Sequence, residues 1–181
     1  MKHALSTRHA LGSSALVLAA LLAGTGAQAA SDTATATAIV LTPMTIAKNT
    51  DLSFGNVVQG NGTLTLATDN TRTLASNTAP LVSGGSPAAA KFTVGGTAAQ
   101  IYGITVTPPA TLTGPGTAMN FTAFWEAVDA ATATGATTGT PATFTPAGAT
   151  SYIFMGGTLA VGATQTAGTY TGTITVSVDY N

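Results

Sequence analysis

Beyond residue 30 the apolar residues recur at every second position rather than at helical spacing. Threonine and valine stand where the glutamate, lysine and leucine of surface helices would be. This pattern predicts an all-β protein. Candidate strands carry Leu52 and Phe54; Leu64 and Leu66; Phe92 and Val94; Tyr102, Ile104 and Val106; Met119, Phe121, Ala123 and Trp125; Ile153 to Met155; and Leu159 with Val161. Glycine or proline punctuates the junctions at Gly84-Gly85, Gly95-Gly96, Pro108-Pro109, Gly114-Pro115 and Gly156-Gly157. Short strands at this spacing predict a β-sandwich.

The last segment alternates most cleanly. Tyr170, Ile174, Val176, Val178 and Tyr180 fall on one face and Thr169, Thr171, Thr173, Thr175, Ser177 and Asp179 on the other, which predicts one strand from Thr169 to Tyr180, about 40 Å long. Between the extended stretches Gly62–Thr68 and Thr71–Leu74, Asp69-Asn70 supplies the residues that tolerate the positive φ of a hairpin turn. Residues 126 to 150, nearly all Ala, Thr, Gly and Pro with Phe144 the only large aromatic, read as a surface loop. Ser31 to Ala38, small and hydroxylated in alternation, read as a flexible arm. That arm ends in a strand at Ile39, Val40 and Leu41, which pairs either within its own sheet or with another molecule.

Composition adds a processing signal at the N-terminus. Lys2 and Arg8 precede an apolar run from Ala10 to Ala23, and the small-x-small site Ala27-Gln28-Ala29 follows it. This is the pattern of a cleaved secretory signal peptide over residues 1–29, too short for a spanning helix. Residues 30–46 then form an N-terminal arm or first strand, and 47–181 the sandwich domain. The mature protein is expected to pass through the periplasm to the cell surface or the medium, with no transmembrane segment. A membrane barrel is disfavoured, since the aromatics are too few and too dispersed to build two interfacial girdles.

Both histidines, His3 and His9, precede the expected cleavage, and the chain has no cysteine. The usual ligands of zinc, haem and copper are then missing, as are Ser-His-Asp and Cys-His catalysis, so no cofactor and no enzyme activity is expected. Glu126 and Asp129 are the nearest approach to a two-carboxylate pair, and read better as solvated charges beside a loop. Asp69, Asn70 and Asp129 offer oxygen atoms but no calcium-loop spacing. Lys48, Arg72 and Lys91 are the only cations past residue 29, too few for a nucleic-acid surface.

The segments Leu52-Ser53-Phe54-Gly55, Asp69-Asn70-Thr71-Arg72-Thr73 and Gly168-Thr169-Tyr170-Thr171-Gly172-Thr173 resemble a secreted bacterial family known as domain of unknown function 4402, across most of residues 36 to 181. The resemblance implies an exported, all-β, immunoglobulin-like (pilin-like) antiparallel β-sandwich. A second resemblance is to chaperone-usher fimbrial subunits and the spore coat protein U group, in which a penultimate aromatic and a glycine fourteen residues from the end mark the last strand; here these are Tyr180 and Gly168. Those subunits lack one strand, and the arm of the next subunit fills the gap by β-augmentation. The resemblance implies a fimbrial or surface-coat subunit, with Ile39, Val40 and Leu41, and also Ile46, as arm plugs. Its assembly interface would comprise Gly168, Tyr170, Ile174, Val176, Val178 and Tyr180, and its partners other copies, a periplasmic chaperone and an outer-membrane usher. Ala34, Ala36 and Ala38 make weak anchors, and the disulfide of many fimbrial subunits is missing. The alternative is a monomeric secreted binding module in which Trp125 or Tyr152 stacks on a glycan; for Trp125, core packing competes with that role.

Overall fold

Alternation of leucine with threonine in Gly62–Leu66 buries Leu64 and Leu66 completely, and the same two-residue period recurs in Ala90–Gly95. A computed structural model describes residues 29–75 and 85–181. The proposed signal peptide, apart from Ala29, lies outside the described residues, as do residues 76–84. The chain divides into a unit ending at Ala38 and a unit from Ile39 to Asn181. Of the first, the described residues 29–38 are exposed and irregular. In the second the strands are β1 (Thr45–Thr50), β2 (Gly62–Leu66), β3 (Arg72–Ala75), β4 (Ala90–Gly95), β5 (Tyr102–Thr107), β6 (Thr111–Leu112), β7 (Met119–Val128), β8 (Thr143–Phe144), β9 (Thr150–Val161) and β10 (Thr175–Tyr180). All pair antiparallel in two open sheets, and the described residues contain no helix.

β9 is the spine of the larger sheet. β7 runs along one edge of it, and the other edge is shared end to end by β4, facing residues 150–155, and β2, facing 157–161. β1 extends the sheet from β4 and β3 from β2. The expected break at Gly156-Gly157 is instead the middle of one twelve-residue strand. A Cβ on Gly156 would lie 2.2 Å from the Leu66 carbonyl oxygen and 2.6 Å from the Phe124 ring, and one on Gly157 would lie 2.4 Å from the Phe121 ring. The two glycines therefore let β2 close against β9 where β4 ends, with an aromatic ring over each bare backbone.

The smaller sheet has the order β10-β5-β8. β10 is half its expected length. Thr175 faces Thr107, and the next two residues of the partner would be Pro108 and Pro109, which have no N–H to offer a longer ladder. Residues before Thr175 turn away, Thr171 bridging to Thr113 through two backbone hydrogen bonds of 2.8 and 2.9 Å. The expected loop over 126–150 is shorter than its composition suggested: β7 continues to Val128, and β8 places Phe144 edge-on against Tyr102. Ile39–Leu41 form no strand, because Pro43 interrupts the backbone donors ahead of β1, and Leu52–Phe54 contribute only a bridge from Ser53 to Ala88. A hairpin forms at Asp69-Asn70 but is wider than the expected two-residue turn: Leu66 faces Arg72, Ala67 N–H donates to the Thr71 carbonyl, and only Asn70 takes positive φ, 73°, with the Thr71 N–H donating to Asp69 Oδ1 at 2.9 Å. The Thr71 backbone N–H, and after it the Thr71 hydroxyl, hold the Asp69 carboxyl below its ordinary 3.8.

The core has two halves. In one, Phe92, Val94, Ile153 and Met155 of the large sheet face Tyr102, Ile104 and Val178 of the small sheet, giving a β-sandwich-like pairing. In the other, Leu64, Leu66, Met119, Phe121, Leu159 and Val161 of the large sheet gather with Phe54, and no strand of the small sheet contributes to this buried set. Half of the large sheet's apolar face is thus covered by connecting segments alone.

Candidate functional site

Over that second half-core lies a cavity of about 840 Å³. Its floor is Met119, Phe121, Leu159 and Val161, supplied by β7 and β9; one wall is the segment 52–59 after β1 and the other is 165–174 before β10. Arg72 fastens the first wall, donating from one guanidinium nitrogen to the carbonyls of Phe54 (3.0 Å) and Asn56 (3.1 Å). The second wall is held by the Thr113–Thr171 bridge, by Gln165 Nε2 donating to the Thr117 carbonyl (2.5 Å) and by the Tyr170 hydroxyl donating to the Thr166 carbonyl (2.9 Å). No described residue of the lining is charged; its polar groups are amides and hydroxyls, among them Asn56, Gln59, Gln165 and Thr166. Such a mixed, uncharged surface suits an uncharged occupant with hydrogen-bonding groups of its own.

The residues singled out from sequence fall in three places. Gly168 (φ 149°), Tyr170 and Ile174 line the cavity. Val176, Val178 and Tyr180 lie on the inward face of β10 against the first half-core. Ile39 and Val40 stand 81% and 92% exposed and Leu41 is half-buried, whereas Ile46 is paired opposite Val94 within β1. Trp125 is half-buried beside the first half-core; its ring N–H donates to the Pro141 carbonyl (3.0 Å) and its backbone N–H to Gly139 (2.9 Å), so the returning chain covers the edge of β7 there. Tyr152 lies beside Phe154 with the Lys91 ammonium 4.7 Å from its ring centre.

The carboxylates have structural partners. Glu126 accepts from the buried Thr68 hydroxyl (2.6 Å), the Thr134 N–H (2.9 Å) and the Thr134 hydroxyl, and Asp129 accepts from the Ala147 N–H (3.0 Å). No group of three or more metal-ligating side chains occurs among the described residues, and no helix long and apolar enough to cross a membrane is present among them. Sequence reasoning did not find the 52–59 wall or Gln165 and Thr166. The cavity arises from what the small sheet leaves uncovered, and the one local signal is Pro108-Pro109, which stops β5 and with it β10.

The fold and this opening define an all-β, sandwich-like domain with one half of its core roofed by loops. The chain belongs to the family described as domain of unknown function (DUF4402), whose model matches residues 44–180. No curated protein and no solved structure matches it.

Proposed function

We propose that this chain is an exported structural subunit of a fimbria or surface coat, pilin-like in architecture, that assembles by strand complementation and performs no catalysis. The observation that carries this reading is the uncharged cavity over an apolar half-core, where the small sheet ends and a further strand would complete the sandwich. An exposed Ile39-Val40 pair supports it: apolar side chains left in water gain about 1.5–3 kcal/mol each on burial, and a second copy offers them a place. β10 is the terminal strand of its sheet, so its outer edge suits main-chain pairing with a chaperone or a neighbour during export through the periplasm. The signal-peptide pattern of residues 1–29 supports the same route, with an outer-membrane usher as the expected assembly partner. The test is electrophoresis of surface-extracted protein in denaturing detergent, unheated and boiled. A regular ladder that collapses to monomer only on boiling is expected; monomer alone in both lanes refutes the polymer.

A further inference from the structure

β7 is an edge strand of the larger sheet over most of its ten residues. β6 pairs with it only at Met119 and Asn120, and the Phe121 N–H donates outward to the Ala110 carbonyl at 2.9 Å. By the two-residue period, the N–H groups of Ala123, Trp125 and Ala127 point the same way. A row of such groups is a template for pairing with another chain unless something blunts it. The outer strands β1 and β3 carry blunting devices of their own. β1 has Lys48 with a register shift beside it, and β3 is four residues long and begins at Arg72. β7 has no lysine, arginine or proline.

Residues 129–147 supply what β7 lacks. They cross the face of the large sheet that points away from the half-cores, where Lys91 Nζ donates to the Ala131 carbonyl (2.8 Å) and the Thr68 N–H to the Ala136 carbonyl (3.1 Å). Rounding the edge, they offer the Gly139 carbonyl to the Trp125 N–H and the Pro141 carbonyl to the Trp125 ring N–H. They then reach the small sheet, where the Ile104 N–H donates to the Ala142 carbonyl (2.7 Å) and β8 pairs with β5. The Ala147 N–H, donating to Asp129, closes the base. The segment is a strap around one side of the sandwich, and Glu126 is its latch. That carboxylate accepts from the Thr68 hydroxyl of the body and from both the N–H and the hydroxyl of Thr134 in the strap. Phe124 and Phe154 lie on the same outward face, belong to neither half-core and are buried nevertheless.

We propose that residues 129–147 are an edge guard, latched by Glu126, that keeps β7 of one copy from pairing antiparallel with β7 of a second copy. The contact it prevents is isologous. The same strand on both copies would meet across a two-fold axis and close at two, adding nothing to a fibre or coat. The guard is independent of strand complementation, since no residue of the strap lines the cavity. Glu126 is a positioning residue: it holds the strap, and the strap occupies the edge.

The test uses the full chain, exported and matured by its own route, as wild type, Glu126→Ala, Thr134→Val and the double variant Glu126→Ala with Thr122→Lys. Amide hydrogen exchange at Trp125 is expected to rise about tenfold in Glu126→Ala while the amides of β2 and β4 hold. At equal concentration, sedimentation velocity is expected to show a dimer that wild type lacks. Thr122 is exposed on β7, so Thr122→Lys sets like charges against each other in a β7 pair. It is expected to remove the dimer while Trp125 exchange stays fast. Thr134→Val takes one latch bond from the strap and leaves β7 and the Thr68 bond intact; the same changes in the same sense are expected, and it decides alone if Glu126→Ala misfolds. Wild-type exchange at Trp125 in the folded variants overturns the latch. Fast exchange without an added dimer overturns the guard, and a dimer that survives Thr122→Lys overturns β7 as the guarded edge. Each of these leaves strand complementation standing, because the heat-sensitive ladder tests it separately.

Discussion

Replacing Gly156 by alanine places a methyl group where the large sheet changes partners. Its Cβ would lie 2.2 Å from the Leu66 carbonyl oxygen, a backbone atom of a fully buried residue, and 2.6 Å from Phe124. The backbone can relieve the first contact only by opening the β2–β9 ladder near Leu66 and Gly157. In an unconstrained strand the same substitution gains about 0.5–1 kcal/mol from reduced backbone entropy. Overpacking of a close-packed site costs about 1–3 kcal/mol or more, and because the obstacle is backbone the upper end applies, for a net loss of about 2–3 kcal/mol. At roughly 2–4 °C per kcal/mol for a domain of this size, the melting temperature falls by about 4–12 °C. Gly157→Ala meets chiefly the Phe121 ring at 2.4 Å, a side chain that can swing towards the cavity it floors, so about half that loss is expected, together with a narrower cavity. Gly148→Ala, with nothing within 4 Å, is the control and should stay within about 0.5 kcal/mol of wild type. Urea unfolding followed by Trp125 fluorescence measures all three. A Gly156→Ala protein as stable as the Gly148→Ala control would refute the account of why β9 carries glycine at its centre.

Four further outcomes are expected. Ser151→Ala removes the partner of the Tyr102 hydroxyl, bonded at 2.9 Å within the first half-core, and should cost about 1–3 kcal/mol by denaturant titration. Burial, with a smaller push from the Asp129 charge, raises Tyr102 above its ordinary 10.0 against the opposing pull of Ser151, so the native state holds that proton more tightly than the unfolded chain. Its stabilising effect is therefore complete below pH 10 and is lost as pH rises through the higher folded value, which an alkaline melting series will detect. Asp69 has the opposite sign: its folded value is depressed, so its contribution is complete above 3.8 and lost as pH falls through the lower folded value, and the stability gap between wild type and Asp69→Asn should close in acid. Arg72→Met unfastens the wall at Phe54 and Asn56 and should increase binding of an apolar fluorescent dye severalfold; unchanged dye binding would show that the wall stands without it.

How much was legible in the chain depends on the range of the interaction concerned. Strand character at Leu64–Leu66, Phe92–Val94, Tyr102–Val106 and Met119–Trp125 follows from side chains alternating at a period of two. The turn at Asp69-Asn70 follows from a residue that tolerates positive φ. The family is legible in the same stretch, its model matching residues 44–180. These are local properties, carried by each segment wherever it sits.

Pairing decided the rest. Gly156-Gly157 carries the signature of a turn, and only the arrival of β2 beside β9 and of Phe121 and Phe124 over the bare backbone makes it the centre of the longest strand. Thr169–Tyr180 alternates throughout, yet a strand is as long as its neighbour allows, and Pro108-Pro109, some sixty residues earlier in the chain, ends that neighbour. The cavity follows from the same fact, since the small sheet stops short and half of an apolar face is left to two loops. Alternation records which side of a strand is dry. It carries no record of which segment, in this chain or in another copy, comes to cover it, because hydrophobic burial is non-directional and backbone hydrogen bonds are the same for every sequence.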